Sequence, residues 1–204
     1  MNKGAIILGI LCILLVGCSE LTPKQELTNL LDNLDIPTGY NIVYSYTKGR
    51  YITLNQDLHF KVNNEEITSL DGKIKQNPFA GSTGFNCNYI YDLSKNLDKC
   101  TCDVIPMYQN GIPLPYDIDT EELCKTNKVD DLLTISELKD ILKTEVPNMI
   151  NVTKEDSCFK TPSIKDPQYP LYKICFNNKT LTEYSKSIPP LTWGTDKTSW
   201  KVNS

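Results

Sequence analysis

The sequence predicts an α+β domain in which an antiparallel sheet is accompanied by a few helices and stapled by disulfides. Three observations predict it. The apolar period changes from helical 3.6 to strand-like 2 near residue 40. Polar turns separate the alternating segments. Six of the eight cysteines, from Cys87 to Cys175, lie in the body of the chain. About 187 residues follow the first 17, enough for one domain with a substantial core.

The elements follow in order. Thr22-Pro23 starts a helix, with a capping hydroxyl and proline at the first turn. Leu27, Leu30, Leu31 and Leu34 form its apolar stripe, and Pro37 and Gly39 end it. Ile42, Tyr44 and Tyr46 then alternate with Val43 and Ser45 up to a turn at Lys48-Gly49-Arg50. Leu58, Phe60 and Val62 alternate with Asp57, His59 and Lys61, and Asn63-Asn64 turns the chain into Glu66–Leu70. Asp71-Gly72 predicts another turn, and the whole reads as an antiparallel meander. After a loop around Asn77 to Gly84, strands are expected near 85–91 and 99–105, then an irregular stretch from Met107 to Tyr116. Helices are expected at 121–125, capped by Asp119-Thr120, and at 136–143, with Leu138, Ile141 and Leu142 inward. Strands near 149–152, 157–160, 171–176 and 181–185 follow, and then a tail with Trp193 and Trp200, too apolar to be simply disordered.

The N-terminal run from Ala5 to Val16 is apolar but too short to cross a bilayer, which takes ~20 residues. Its charged start and small-residue finish are those of a secretory signal. Leu15-Val16-Gly17-Cys18 resembles the lipobox of prokaryotic lipoproteins. That resemblance implies cleavage after residue 17, a diacylglyceryl group on Cys18 and a location on the outer face of the cell membrane. Residues 18–22 would then be a short tether and 23–204 a single ectodomain. The four residues Ser19–Thr22 reach ~14 Å when extended, so the domain is expected close to the bilayer. Without residues 1–17 the net charge moves from −4 to −5, since Lys3 is the one charged residue lost. A mildly acidic chain without a basic cluster argues against nucleic acid as a partner.

With Cys12 in the signal and Cys18 lipidated, Cys87, Cys100, Cys102, Cys124, Cys158 and Cys175 remain, an even set that predicts three disulfides. Cys158 and Cys175 can face each other across a hairpin, and closing such a loop stabilises by ~3 kcal/mol in the chain-entropy model. Cys100 and Cys102 lie two apart on a strand and share a face. One can pair with Cys87 and the other with Cys124; both assignments are open. Zinc competes poorly, because the spacing is C-x-C and the only histidine, His59, is remote in sequence.

Catalytic patterns are sparse. His59 reads as a solvated strand position, and no Gly-x-Ser-x-Gly elbow accompanies it. Asp117, Asp119 and Glu121 match the first ligand positions of a calcium loop, but Glu122 replaces the required glycine and Lys128 the final glutamate. Glu65, Glu66, Asp130 and Asp131 could serve a carboxylate hydrolase but read as solvated turn or helix-start charges. Asn151-Val-Thr153 and Asn178-Lys-Thr180 match glycosylation sequons and mark surface. The expectation is therefore a non-enzyme with neither metal nor cofactor. The tyrosines cluster on predicted strands, which either fill a core or line a cavity with their hydroxyls at its rim.

Phe85-Asn-Cys-Asn-Tyr-Ile-Tyr91 with Lys99-Cys-Thr-Cys-Asp103, and Ser157-Cys-Phe-Lys160 with Tyr172-Lys-Ile-Cys-Phe-Asn177 and Leu181-Thr-Glu-Tyr-Ser185, form a pattern of strands and cysteines. It resembles exported archaeal lipoproteins with a LolA-like ectodomain, over about residues 40–200. The resemblance implies a curved antiparallel half-barrel, closed on one side by helices around an apolar cavity for acyl chains. The first expectation is thus a lipid-anchored protein that binds a lipid or other apolar ligand, with Tyr44, Phe60, Tyr89 and Tyr172 as pocket residues. The alternative is a structural or protein-interaction module of the cell envelope that takes no small ligand.

Overall fold

The change of period near residue 40 opens a ten-stranded antiparallel sheet in the computed structural model. The structure describes residues 20–49, 54–78, 83–113, 119–126, 132–162, 170–188 and 196–203. The N-terminal apolar run with Cys18, and Tyr51, Asp117, Asp130, Asp131 and Trp193, lie outside the described residues.

The first half of the sheet is a meander of β1 (Gly39–Lys48), β2 (Leu54–Asn63), β3 (Glu66–Gln76), β4 (Gly84–Asp92) and β5 (Leu97–Ile105). A small hairpin follows, β6 (Tyr108–Gln109) and β7 (Ile112–Pro113), where an irregular stretch was expected. Asn110 and Gly111, both at positive φ, make its two-residue turn. The second half is another meander: β8 (Thr153–Glu155), β9 (Cys158–Lys160), β10 (Leu171–Asn177), β11 (Thr180–Ile188) and β12 (Asp196–Asn203). β12 inserts between β11 and β1, so the two meanders join at the middle. The sheet does not close, and β5 and β8 are its edges.

Two further expectations are corrected. Asp71-Gly72 is no turn; β3 runs straight through it, with Asp71 opposite His59 and Gly72 opposite Leu58. A Cβ on Gly72 would meet the Asp57 carbonyl oxygen at 2.3 Å and Leu58 Cα at 2.7 Å, so this glycine serves close backbone approach. The strand expected near 149–152 starts later, at Thr153, because a 3₁₀ turn (Val146–Asn148) extends the preceding helix. The apolar tail contains a central strand, β12, with Trp200 buried.

Helices α1 (Pro23–Asp32) and α3 (Ile135–Glu145) supply Leu27, Leu31, Ile135, Leu138 and Leu142 to the same core as the inward strand residues. One row of paired neighbours crosses that face: Tyr89, Gly72, Leu58, Tyr44, Trp200, Tyr184, Ile174 and Phe159. Each large apolar side chain fully buried there contributes about 1.5–3 kcal/mol. The helix α2 (Thr120–Thr126) packs on the β5 edge. Among the described residues no helix is long and apolar enough to cross a membrane.

Both longer helices begin with a capping box, Thr22 with Gln25 and Thr134 with Glu137. The start of α3 is served from afar as well. Its first N–H, on Ile135, donates to the Tyr40 hydroxyl at 3.0 Å, and its second, on Ser136, donates to Glu65 Oε2 at 3.2 Å. The third, on Glu137, donates to Thr134 Oγ1 at 3.3 Å. Thus the orphan donors of this helix end find partners on β1 and on the β2–β3 turn. Glu65 reaches there from a left-handed backbone (φ 63°), in a turn shared with Asn64 (φ 50°). Its carboxylate also suits the positive end of the helix dipole.

Three disulfides complete the fold. Cys87–Cys102 and Cys158–Cys175 each bridge directly opposed residues, of β4 with β5 and of β9 with β10. Cys100–Cys124 ties β5 to α2, which decides the pairing that the sequence left open.

Candidate functional site

The end of α3 and the start of β10 enclose a recess of about 390 Å³. Met149, Ile150, Pro162, Pro170 and the Tyr172 ring give it apolar walls, and Thr144, Glu145, Asn148 and Thr161 add polar atoms. Its volume lies within the ~300–1,000 Å³ of small-molecule pockets.

Local bonding holds these walls. The 3₁₀ turn redirects the chain after Glu145, and Lys24 Nζ on α1 donates to the carbonyls of Pro147 at 2.6 Å and Met149 at 3.0 Å. On the opposite wall, Thr161 and Tyr172 exchange bonds. The Thr161 N–H donates to the Tyr172 carbonyl at 3.1 Å, and the Tyr172 N–H donates to Thr161 Oγ1 at 2.8 Å.

Glu145 marks the polar side. Lys186 on β11 donates to its Oε1, whereas Oε2 is buried and has no hydrogen-bond partner among the described residues. The Lys186 ammonium also lies 5.4 Å from the Tyr172 ring centroid. Burial alone would lower the Lys186 pKa, but its bond to Glu145 and the nearby Tyr172 leave it raised. The Tyr172 hydroxyl is raised by burial first and then by the Glu145 charge, against the pull of Lys186. Tyr184, deeper on β11, is pushed up strongly by burial and further by the same carboxylate. Among these groups the neutral tyrosines and the protonated Lys186 are therefore the favoured forms at neutral pH.

The aromatic positions picked from the sequence divide. Tyr172 borders the recess, while Tyr44, Phe60 and Tyr89 are buried in the core, because the helices fill the sheet face there. Glu145, Lys186, Met149 and Ile150 were not singled out. Residues 145 and 186 meet only through the packing of α3 on β11, so no local pattern in the sequence announces them.

Two other recesses are different in kind. One, of about 690 Å³, is lined mostly by polar residues, among them Asp35, Asn41, Lys61 and Asn178. The other, of about 490 Å³, lies over the Cys100–Cys124 disulfide between β5 and α2. His59 is exposed on the outer side of β2, where its Nε2 lies 3.8 Å from Asp57 and its cross-strand neighbour is Asp71.

No protein-family model matches the chain, and a comparison with curated proteins finds no match.

Proposed function

We propose that this protein is an exported lipoprotein, anchored through Cys18 to the outer face of the membrane, whose domain binds a lipid or other apolar ligand. In this reading the sheet is a LolA-like half-barrel, and the ligand occupies the recess beside Tyr172. One observation carries the reading: a recess of about 390 Å³ has apolar walls from Met149, Ile150, Pro162, Pro170 and the Tyr172 ring, with Glu145 on its polar side. Such a lining suits an apolar body that turns one polar group toward the Glu145 side. The three disulfides support an oxidising, extracytoplasmic setting.

The test is native mass spectrometry of the exported chain carrying Cys18→Ser, before and after organic extraction. The expected result is an extractable adduct of lipid mass, lost when Ile150→Trp fills the recess. A bare mass in both samples overturns the reading.

A second reading, an envelope interaction module, is favoured by apolar side chains left exposed on the β6–β7 hairpin, Tyr108 at 62% and Ile112 at 68%. Cross-linking in intact cells, with and without Tyr108→Ser and Ile112→Ser, tests it. A reproducible adduct that disappears in the double variant supports this reading, and a monomer throughout removes it.

A further inference from the structure

Two disulfides meet at the β5 edge. Cys100 and Cys102, both on β5 and pointing to one face, belong to different bridges, so the bridges lie side by side. Cys102 Sγ is 3.4 Å from Cys124 Sγ and 3.8 Å from Cys100 Sγ, close to van der Waals contact between sulfurs of separate bonds. Cys100, Cys102 and Cys124 are half-exposed at the crevice between β5 and α2, whereas Cys87 is fully buried beneath them. A thiol from solvent can thus reach the outer bridge but cannot reach Cys87.

We propose that these four cysteines form a thiol–disulfide exchange relay that takes electrons from an external, uncharged dithiol. A thiolate of the dithiol attacks Cys100 Sγ and forms a mixed disulfide. The Cys100–Cys124 bond breaks, and its electron pair leaves on Cys124. The Cys124 thiolate then attacks Cys102 Sγ, 3.4 Å away in the resting structure. A Cys102–Cys124 bond forms as Cys87–Cys102 breaks, and Cys87 leaves as a thiolate, which takes a proton once loss of the bridge lets water in between β4 and β5. The second thiol of the dithiol attacks its own sulfur in the mixed disulfide, closes a ring and releases Cys100 as a thiolate. In sum, one dithiol is oxidised to a cyclic disulfide, and two protein bridges become one bridge, Cys102–Cys124, with thiols at Cys87 and Cys100.

The second step is intramolecular, with the attacking sulfur held beside its target, so it competes well against a second molecule from solution. Asp98 and Glu121 line the same crevice, and their negative charge disfavours anionic thiols there.

The experiment treats the oxidised full-length chain with substoichiometric dithiothreitol, quenches with acid, unfolds and alkylates it in denaturant, and maps disulfide-linked peptides without reduction. The expected species joins Cys102 to Cys124 and carries alkyl groups on Cys87 and Cys100. Dithiothreitol should generate it about tenfold faster than dimercaptosuccinate, an anionic dithiol, at equal thiolate concentration. Loss of Cys100–Cys124 with Cys87–Cys102 intact throughout the time course overturns the relay. Cys100→Ser isolates the second step by leaving Cys124 free beside Cys102. In that variant the relay predicts a mixture of Cys87–Cys102 and Cys102–Cys124, and Cys87–Cys102 alone, with Cys124 fully alkylated, counts against it.

Discussion

Tyr40 donates its hydroxyl proton to Glu65 Oε1 across 2.9 Å, and the Tyr40 hydroxyl oxygen in turn accepts the first N–H of α3, from Ile135. One side chain of β1 thus couples the β2–β3 turn to a helix that begins 95 residues later in the chain. Burial first, and then the Glu65 charge, raise the Tyr40 pKa well above its ordinary value, so the hydroxyl keeps the proton it donates.

Removing that hydroxyl leaves a buried helix N–H without a partner. Tyr40→Phe should cost about 1–3 kcal/mol, seen as a lower urea midpoint with an unchanged m-value. Glu65→Gln keeps an acceptor for Ser136 and should cost less. Equal midpoints for wild type and Tyr40→Phe would remove the linkage from the stability of the fold.

Alkaline pH should destabilise the protein. Tyr40 and Tyr184 hold their protons in the folded state above the ordinary tyrosine value of 10.0. The unfolded chain therefore loses protons that the folded chain keeps. Their contribution is fully present below pH 10 and is lost as pH rises through the folded values. Each such group adds a negative slope of at most about 1.4 kcal/mol per pH unit. Denaturation series between pH 8 and pH 11, with Tyr184→Phe as comparison, check the sign. The variant should show a shallower decline.

Gly72→Ala should destabilise by about 3 kcal/mol, the upper end of overpacking, because the added carbon meets backbone atoms of β2. A flexible side chain could move aside, but the Asp57 carbonyl is fixed in the sheet. Thermal melting checks this, and an unchanged Tm would mean that β2 and β3 can separate locally at little cost.

Lys186→Met should cost about 2 kcal/mol, since it leaves the Glu145 carboxylate, 21% exposed, without its cation. Adding Glu145→Gln should restore at least half of that loss. A double-mutant cycle measures the coupling, and strictly additive single effects would show the pair to be energetically independent.

Much of the sheet was legible because its inward residues alternate cleanly. Leu58, Phe60 and Val62 are buried while Asp57, His59 and Lys61 are exposed, as a half-buried strand requires. Thr22-Pro23 and the leucine stripe marked α1 equally well. Asp71-Gly72 misled because a turn dipeptide and a close-approach glycine look identical until the neighbouring strand is known. β12 carried a readable signal, with Trp200 and Val202 alternating with Ser199 and Lys201, but a tail after prolines invited a looser reading. β8 carried none, since Thr153, Lys154 and Glu155 are all exposed on an edge. The candidate site was legible only at Tyr172. The meeting of Glu145 with Lys186, like that of Tyr40 with Ile135, depends on packing between distant segments, for which no spacing rule exists.

The insertion of β12 between β1 and β11 also sets a timetable. A chain made from its N-terminus can complete the hairpins from β1 to β5 early, but β1 then waits with a bare flank. Asn41 meets Asn203 only after every intervening residue has been delivered. Until then two half-sheets each offer an open ladder to any passing strand, the condition under which chains pair with the wrong neighbour. The last-arriving strand thus covers the flanks of β1 and β11 together, and leaves only β5 and β8 as edges of the described sheet.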